Sequence, residues 1–358
     1  MKKAVSLFIP GPVDVAPEVA AAMTRPMIGH RSPAFADLYR EVTAGIAALM
    51  STRNPVFLST SSATGLWEAA ARNLAPRKAL CCVNGAFSER WFTTIQKCGF
   101  SADKLEVEWG RGIAPDRIRE RLVTGAYDVL TLVHNETSTG VAEPLEAIGR
   151  MMVEEFPDVY FAVDAVSSMV GLPIRIDDWG IDILLASVQK AWALPPGFSI
   201  CIVSDRVIRR SETVRNKGYY FDFVAWAASA QKGQTIITPS IPHMYGLQTQ
   251  IERIQKEGIE NRYERYRRLA ERTRSWGRSR GLTLFSEEGY HSDTVTCFRN
   301  TRNWDLADLG DRLYAEGYQF SNGYGKLKGS AFRIPHMGEI TDRSLAAYLD
   351  CIDSLTGS

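Results

Sequence analysis

Ile183-Leu-Leu-Ala-Ser-Val-Gln-Lys190-Ala-Trp-Ala-Leu-Pro-Pro-Gly197 opens as an unbroken apolar run and closes in a stiff, bulky loop, with one lysine at the junction. An apolar run without alternation suits a strand covered on both faces, the kind found in parallel sheets. Runs of similar character lie at 55–59, 79–83, 105–109, 129–133, 159–163 and 198–203, and the stretch itself gives a strand at 183–188. Amphipathic segments at 66–74, 88–97, 116–123 and 145–156 alternate with them and predict helices. Such alternation predicts an α/β fold, a mostly parallel sheet flanked by helices, with ligands held in the loops beyond the carboxyl ends of the strands.

After about residue 250 the pattern changes to a long charged helix, strands near 282–285, 294–298 and 332–334, and helices at 306–316 and 344–354. The expected division is a large domain of residues 15–250 and a smaller α+β domain of residues 1–14 and 251–358, with the site in the cleft between them. At 358 residues the chain is long enough for two such units.

Composition narrows the function classes. The 42 basic and 41 acidic residues leave a net charge of +1, which gives no electrostatic case for nucleic acid or an anionic membrane. Arginines are dense from Arg262 to Arg280, but interspersed glutamates predict a solvated helix face. No run is long enough to span a bilayer, and the apolar run near the N-terminus is too short for a signal peptide. The six cysteines form no CxxC pair and share no metal-ligand spacing with the five histidines. They read as reduced core residues, so the expectation is a cytoplasmic protein without a metal.

Chemistry is expected at the strand ends. Burial of Lys190 would disfavour its ammonium form and leave an amine able to attack carbonyls, although a strand-end lysine can also reach out into water. Thr60-Ser-Ser-Ala-Thr-Gly65 before an apolar helix aims free N–H groups and hydroxyls at one point, either as a phosphate cup or as an ordinary helix cap. Asp164 ends a strand, where a carboxylate needs a cation or N–H partners. His134-Asn-Glu-Thr-Ser-Thr-Gly140 is rich in hydroxyls and amides, and Phe87 in Val83-Asn-Gly-Ala-Phe87 could stack on a flat ligand or belong to the core. Together a lysine, a carboxylate, a phosphate cup and an aromatic ring are the contacts that a pyridoxal phosphate site requires.

The motifs also occur in a familiar order. Pro10-Gly-Pro12, Gly29-His-Arg-Ser-Pro33, Thr60 to Gly65, Asn84-Gly-Ala-Phe87, His134 to Gly140, Val163-Asp-Ala-Val-Ser-Ser168, Ser187-Val-Gln-Lys190 and Phe332-Arg-Ile-Pro-His336 run almost from end to end of the chain. In this the chain resembles the class V aminotransferases of pyridoxal-phosphate fold type I, among them serine–glyoxylate, alanine–glyoxylate and phosphoserine aminotransferases. The resemblance implies that Lys190 is the Schiff-base lysine and carries the proton at the substrate Cα. It implies Asp164 as the partner of the pyridine nitrogen, with Val166 and Phe87 on either side of the ring. Thr137 corresponds to a residue near the phenolic oxygen, and Gln189, Ser62, Ala63 and Thr64 to the phosphate site. It further implies a homodimer whose second subunit brings Thr235 and Thr238 to the phosphate, with Arg333 on the substrate carboxylate and Gly11, His30 and Arg31 beside the substrate.

For the substrates the resemblance implies a small L-amino acid and a 2-oxo acid in a ping-pong exchange. Ala193-Leu-Pro-Pro-Gly197 looks like the serine/alanine–glyoxylate group. His30 and Arg31 would also suit a phosphate, which keeps phosphoserine as an alternative. A desulfurase or lyase on the same fold is a further rival and would need a mobile cysteine, for which Cys297 and Cys351 are the late candidates.

Overall fold

The apolar runs assemble into one seven-stranded sheet in a computed structural model that describes residues 5–357. The first four residues assigned to the smaller domain, and Ser358, lie outside the described residues. In chain order the strands are β1 (Val56–Ser59), β2 (Ala79–Val83), β3 (Ala102–Glu106), β4 (Val129–Val133), β5 (Tyr160–Asp164), β6 (Ile183–Ser187) and β7 (Ser199–Val203). Their spatial order is β1-β7-β6-β5-β4-β2-β3, and only β7 runs antiparallel to its neighbours. The α/β class and the mainly parallel sheet are as expected.

The unalternating sequence runs follow from burial on both faces. Leu80, Cys82, Leu130, Leu132, Phe161, Val163, Leu184 and Ala186 pack into one apolar core. Their in-between neighbours Ala79, Cys81, Val83, Val129, Val133, Ala162, Ile183 and Leu185 pack into another. Each fully buried aliphatic side chain contributes roughly 1.5–3 kcal/mol, so the sheet anchors both layers of helices.

Two boundaries differ from expectation. The strand predicted at 105–109 lies at Ala102–Glu106, held in register from Ala79–Ala102 to Val83–Glu106. Trp109 leaves the sheet and packs with Phe285, Cys297, Leu327 and Ala331 of the later part of the chain. The single long helix predicted after 250 is two helices, Ile241–Glu257 and Ile259–Ser279, separated at Gly258, whose φ of +82° favours glycine.

A second, four-stranded antiparallel sheet holds Thr283–Leu284, Val295–Arg299, Ala331–Pro335 and Ser321–Asn322 in that order. Ser6–Leu7 pairs in parallel with Tyr318–Gln319, so the start of the chain lies beside this later region. Among the described residues no helix is long and apolar enough to cross a membrane.

Candidate active site

The carboxyl ends of β4, β5 and β6 and the start of the helix Ala63–Leu74 enclose a cavity of about 170 Å³. Ser62, Ala63, Thr64, Phe87, Thr137, Asp164, Val166, Gln189 and Lys190 all line it, which brings together the residues singled out at five separate strand ends. The topology explains the convergence, because parallel neighbours end on the same side of the sheet.

Lys190 is 8% exposed, and its Nζ lies 5.7 Å from the centroid of the Phe87 ring. Burial, aided by the Arg333 guanidinium, lowers its pKa to about 7 against the opposing pull of Asp164 and Glu136. A substantial fraction of the side chain is therefore a neutral amine near neutral pH. Gly11, at a φ of +120°, packs against the aliphatic stem, and a Cβ there would fall 2.7 Å from Lys190 Cδ. Val13 N–H also donates to the Gln189 carbonyl at 3.2 Å, which seats the N-terminal segment on the lysine loop.

Asp164 is 3% exposed at the end of β5. It accepts hydrogen bonds from Trp67 Nε1 at 2.7 Å and from the Val166 N–H at 2.8 Å. Burial nevertheless raises its pKa to about 6, because these N–H groups and the charge of Lys190 offset only part of the desolvation.

The opposite end of the cavity is prepared for an anion. Ser62 precedes the helix Ala63–Leu74 without capping it by its side chain, which leaves first-turn N–H groups facing the loop. Buried Gln189 Oε1 and Asn135 Nδ2 have no hydrogen-bond partner in the protein, although Asn135 Oδ1 is held by Ser292 and Thr294. Orphaned polar atoms on residues that line a polar cavity mark places where a bound molecule completes the bonding. A buried amine, a carboxylate lacking a hydrogen-bonded cation, an open helix N-terminus and the Phe87 ring fit pyridoxal phosphate.

Arg333 stands on the second sheet, 8% exposed, with Cys297 and Ser321 as its cross-strand neighbours. Its guanidinium donates to the Thr137 carbonyl at 3.4 Å and to the Asn322 carbonyl at 3.3 Å, and it has no carboxylate partner among the described residues. A buried guanidinium satisfied only by carbonyls is suited to a bidentate carboxylate ligand. Tyr324 lies between Arg333 and the cavity wall, stacked on Phe87 at 5.1 Å.

Gly11 and Arg333 stand beside the cavity without lining it, and four further predicted residues lie elsewhere. Arg31 donates to Gln234 Oε1 at 3.3 Å and to the Thr235 carbonyl at 2.6 Å, while Thr235 donates its hydroxyl to the Ile237 carbonyl. His30, Arg31, Thr235 and the exposed Thr238 do not line the Lys190 cavity of their own chain. The arginine-rich helix is also only partly a solvated face. Arg262 and Arg274 are buried, and Arg262 donates to the Ala191 carbonyl next to Lys190 at 2.6 Å.

Several contributors escaped the sequence. Trp67 could have been found, since it shares a helical face with Ala63 and Thr64. Ser167 holds Thr137 by a 2.5 Å hydroxyl contact. Buried Glu136 accepts from the N–H groups of Phe87 and Ser88 and so fixes the start of the Phe87 helix, Ala86–Lys97. A Cβ at Gly85 would meet Glu136 Cγ at 2.3 Å, which explains the glycine.

Comparison with known proteins shows the family. The model of the family "Aminotransferase class-V" matches residues 16–324. The L-aspartate–glyoxylate aminotransferase of Paracoccus denitrificans is 35% identical over 94% of this chain and 87% of its own length. The serine–glyoxylate aminotransferase of Methylorubrum extorquens is 32% identical over 95% of this chain and 88% of its own. The crystal structure of an alanine–glyoxylate aminotransferase from Nostoc sp. superposes with a TM-score of 0.93 at 27% identity, covering 99% of this chain and 96% of that one. The chain belongs to the class V aminotransferase family, and it is a transaminase whose cofactor is pyridoxal phosphate.

Proposed function

We propose that the protein moves the amino group of a small L-amino acid to glyoxylate, or to pyruvate, by a ping-pong exchange. The observation that carries this reading is the placement of Lys190 and Asp164 in one cavity, with Arg333 held to the carbonyl of Thr137 in its wall, each buried and each short of a fixed counter-charge. The relatives above differ in the donor they name but share glyoxylate as acceptor, which supports that choice.

Pyridoxal phosphate, when bound, supplies an electron-withdrawing ring that carries the amino group from donor to acceptor. Lys190 would hold the cofactor, and its neutral amine is placed to take the proton from the substrate Cα and to return it in the second half of the exchange. Asp164 holds a protonated ring nitrogen, with Trp67 and the Val166 N–H keeping the carboxylate oriented. Val166 and Phe87 fix the ring plane and Thr137 binds near the phenolic oxygen. Ser62, Ala63, Thr64 and Gln189 hold the phosphate. Arg333 grips the substrate α-carboxylate, and Gly11 closes the floor beside it. Thr235 and Thr238 reach the phosphate, and His30 and Arg31 the substrate, across a homodimer in which each cavity is completed by the other subunit. The smaller domain, residues 1–14 and 251–358, carries Arg333 to the cleft. With its cysteines unpaired, the enzyme works in the cytoplasm.

The desulfurase alternative finds little support, because Cys297 is buried and burial pushes its thiol up to about 12. A panel of L-alanine, L-serine, L-aspartate and O-phospho-L-serine against glyoxylate, pyruvate and 2-oxoglutarate, read from the absorbance of the cofactor, tests the reading. Amino transfer to glyoxylate is the expected result; release of ammonia without an oxo-acid acceptor, or of sulfide when L-cysteine is added to the panel, overturns it.

A further inference from the structure

Arg333 stands behind Thr137 and Tyr324, and a second guanidinium lines the cavity itself. Arg90, one turn into the helix that begins beside Phe87, reaches it from the solvent side. Its Cζ lies 5.5 Å from the Phe87 centroid and 5.8 Å from the Tyr324 centroid. Its Nη2 donates to the Tyr324 hydroxyl at 2.6 Å. No carboxylate among the described residues pairs with it. The adjacent Glu89 is committed to Lys104 at 2.6 Å.

Tyr324 therefore has two arginines beside its ring, since Arg333 Cζ lies 5.6 Å from the same centroid. One guanidinium is buried and the other stands at the mouth, no farther apart than about twice that distance. Two unpaired cations at that separation match a ligand with two anionic ends. A short dicarboxylic amino acid can place its α-carboxylate on Arg333 and its side-chain carboxylate on Arg90, with the amino group turned toward Lys190. Alanine or serine would leave Arg90 holding only a neutral phenol.

We infer that Arg90 is a specificity-determining residue that binds the side-chain carboxylate of a dicarboxylic donor of the size of L-aspartate, between the Phe87 helix and Tyr324. This rests on the reading of the cavity as a transamination centre and names a donor class for it.

The test compares kcat/KM for L-aspartate, L-alanine and O-phospho-L-serine, with glyoxylate as acceptor, in the wild-type holoenzyme, Arg90→Gln and Arg90→Lys. One lost charge-assisted contact corresponds to roughly 10- to 100-fold, so Arg90→Gln should lose that factor more on aspartate than on alanine. Arg90→Lys should recover part of it. Succinate, which cannot react, should inhibit Arg90→Gln more weakly than the wild type by a similar factor. Equal losses on aspartate and alanine, or no loss on either, would overturn the assignment. So would a wild-type enzyme that prefers O-phosphoserine, or that uses alanine and not aspartate. An enzyme that turns over none of the three, nor L-serine, removes the transaminase reading of the cavity, and this inference with it.

Discussion

Asp164 and Asp182 are buried to the same extent at opposite ends of one sheet, each 3% exposed. Asp182, just before β6, is enclosed by donors: the Phe161 N–H at 2.9 Å, the Ser204 hydroxyl at 2.7 Å and the Arg206 guanidinium, whose Nε lies at 2.6 Å. Asp164, at the end of β5, receives two N–H groups and no cation in hydrogen-bond contact. The first carboxylate is a finished ion pair that fastens the start of the helix Asp205–Thr213 to the sheet. The second lacks a positive charge, and a protonated ring nitrogen would supply it. Burial alone does not mark a functional carboxylate; incomplete compensation does.

The largest effect should come from Lys190, the other half of the unfinished end. Lys190→Ala should lower turnover by more than about 1,000-fold, and borohydride should no longer fix the cofactor to the chain. Retention of both properties would remove the amine from the chemistry and leave Asp164 without a reason for its isolation.

The paired variants test the comparison directly. Asp164→Asn should reduce kcat on the order of 100-fold while leaving the cofactor-free protein as stable or slightly more so, because it removes a buried charge with no ion pair. Asp182→Asn should do the reverse. The half-exposed Arg206 loses its charged partner, which costs about 2–3 kcal/mol in a denaturant titration, and kcat stays within a few-fold of the wild type. If Asp182→Asn lowers kcat as much as Asp164→Asn, the distinction between the two sites fails.

Arg333→Lys sharpens the same idea on the second sheet. The charge is kept but the bidentate fork is lost, so kcat/KM should drop roughly 10- to 100-fold for every amino acid, mainly through KM. A loss confined to one donor would instead mean that Arg333 reads the side chain.

The sheet and the strand-end motifs were legible because a parallel sheet writes itself as unalternating apolar runs and gathers the loops that follow them. Thr60 to Gly65, His134 to Gly140, Asp164 and Lys190 are far apart in sequence, yet topology alone makes them neighbours. Contacts between the two sheets were not legible. Nothing local to Tyr324 announces that it stacks on Phe87 beside two arginines. The charge run misled for a related reason: Arg262 is charged in composition but buried in the structure, paired with Glu257 and the Ala191 carbonyl. The helix Pro33–Leu49 was passed over despite a clear signal, since Phe35, Leu38, Tyr39, Val42 and Ile46 recur at helical spacing.

The effect most remote from turnover is in pH, and the two members of the unfinished end should act in opposite directions in the cofactor-free protein. Asp164 has its pKa raised from 3.8 to about 6, so between those values the folded state holds a proton that the unfolded state has lost. Its contribution to stability therefore falls as pH rises through that window. Lys190 has its pKa lowered from 10.5 to about 7, so above pH 7 it is the unfolded state that holds the extra proton. Its contribution rises with pH between about 7 and 10.5, as the penalty for a buried ammonium is relieved. Denaturant titrations from pH 4 to 10 should show, relative to the wild type, a less negative lower slope in Asp164→Asn and a shallower upper slope in Lys190→Gln, while buried Glu143, His134 and His336 contribute equally to all three proteins. If each variant keeps the slope assigned to it, the charges at this end of the sheet are compensated after all, and the contrast with Asp182 is lost.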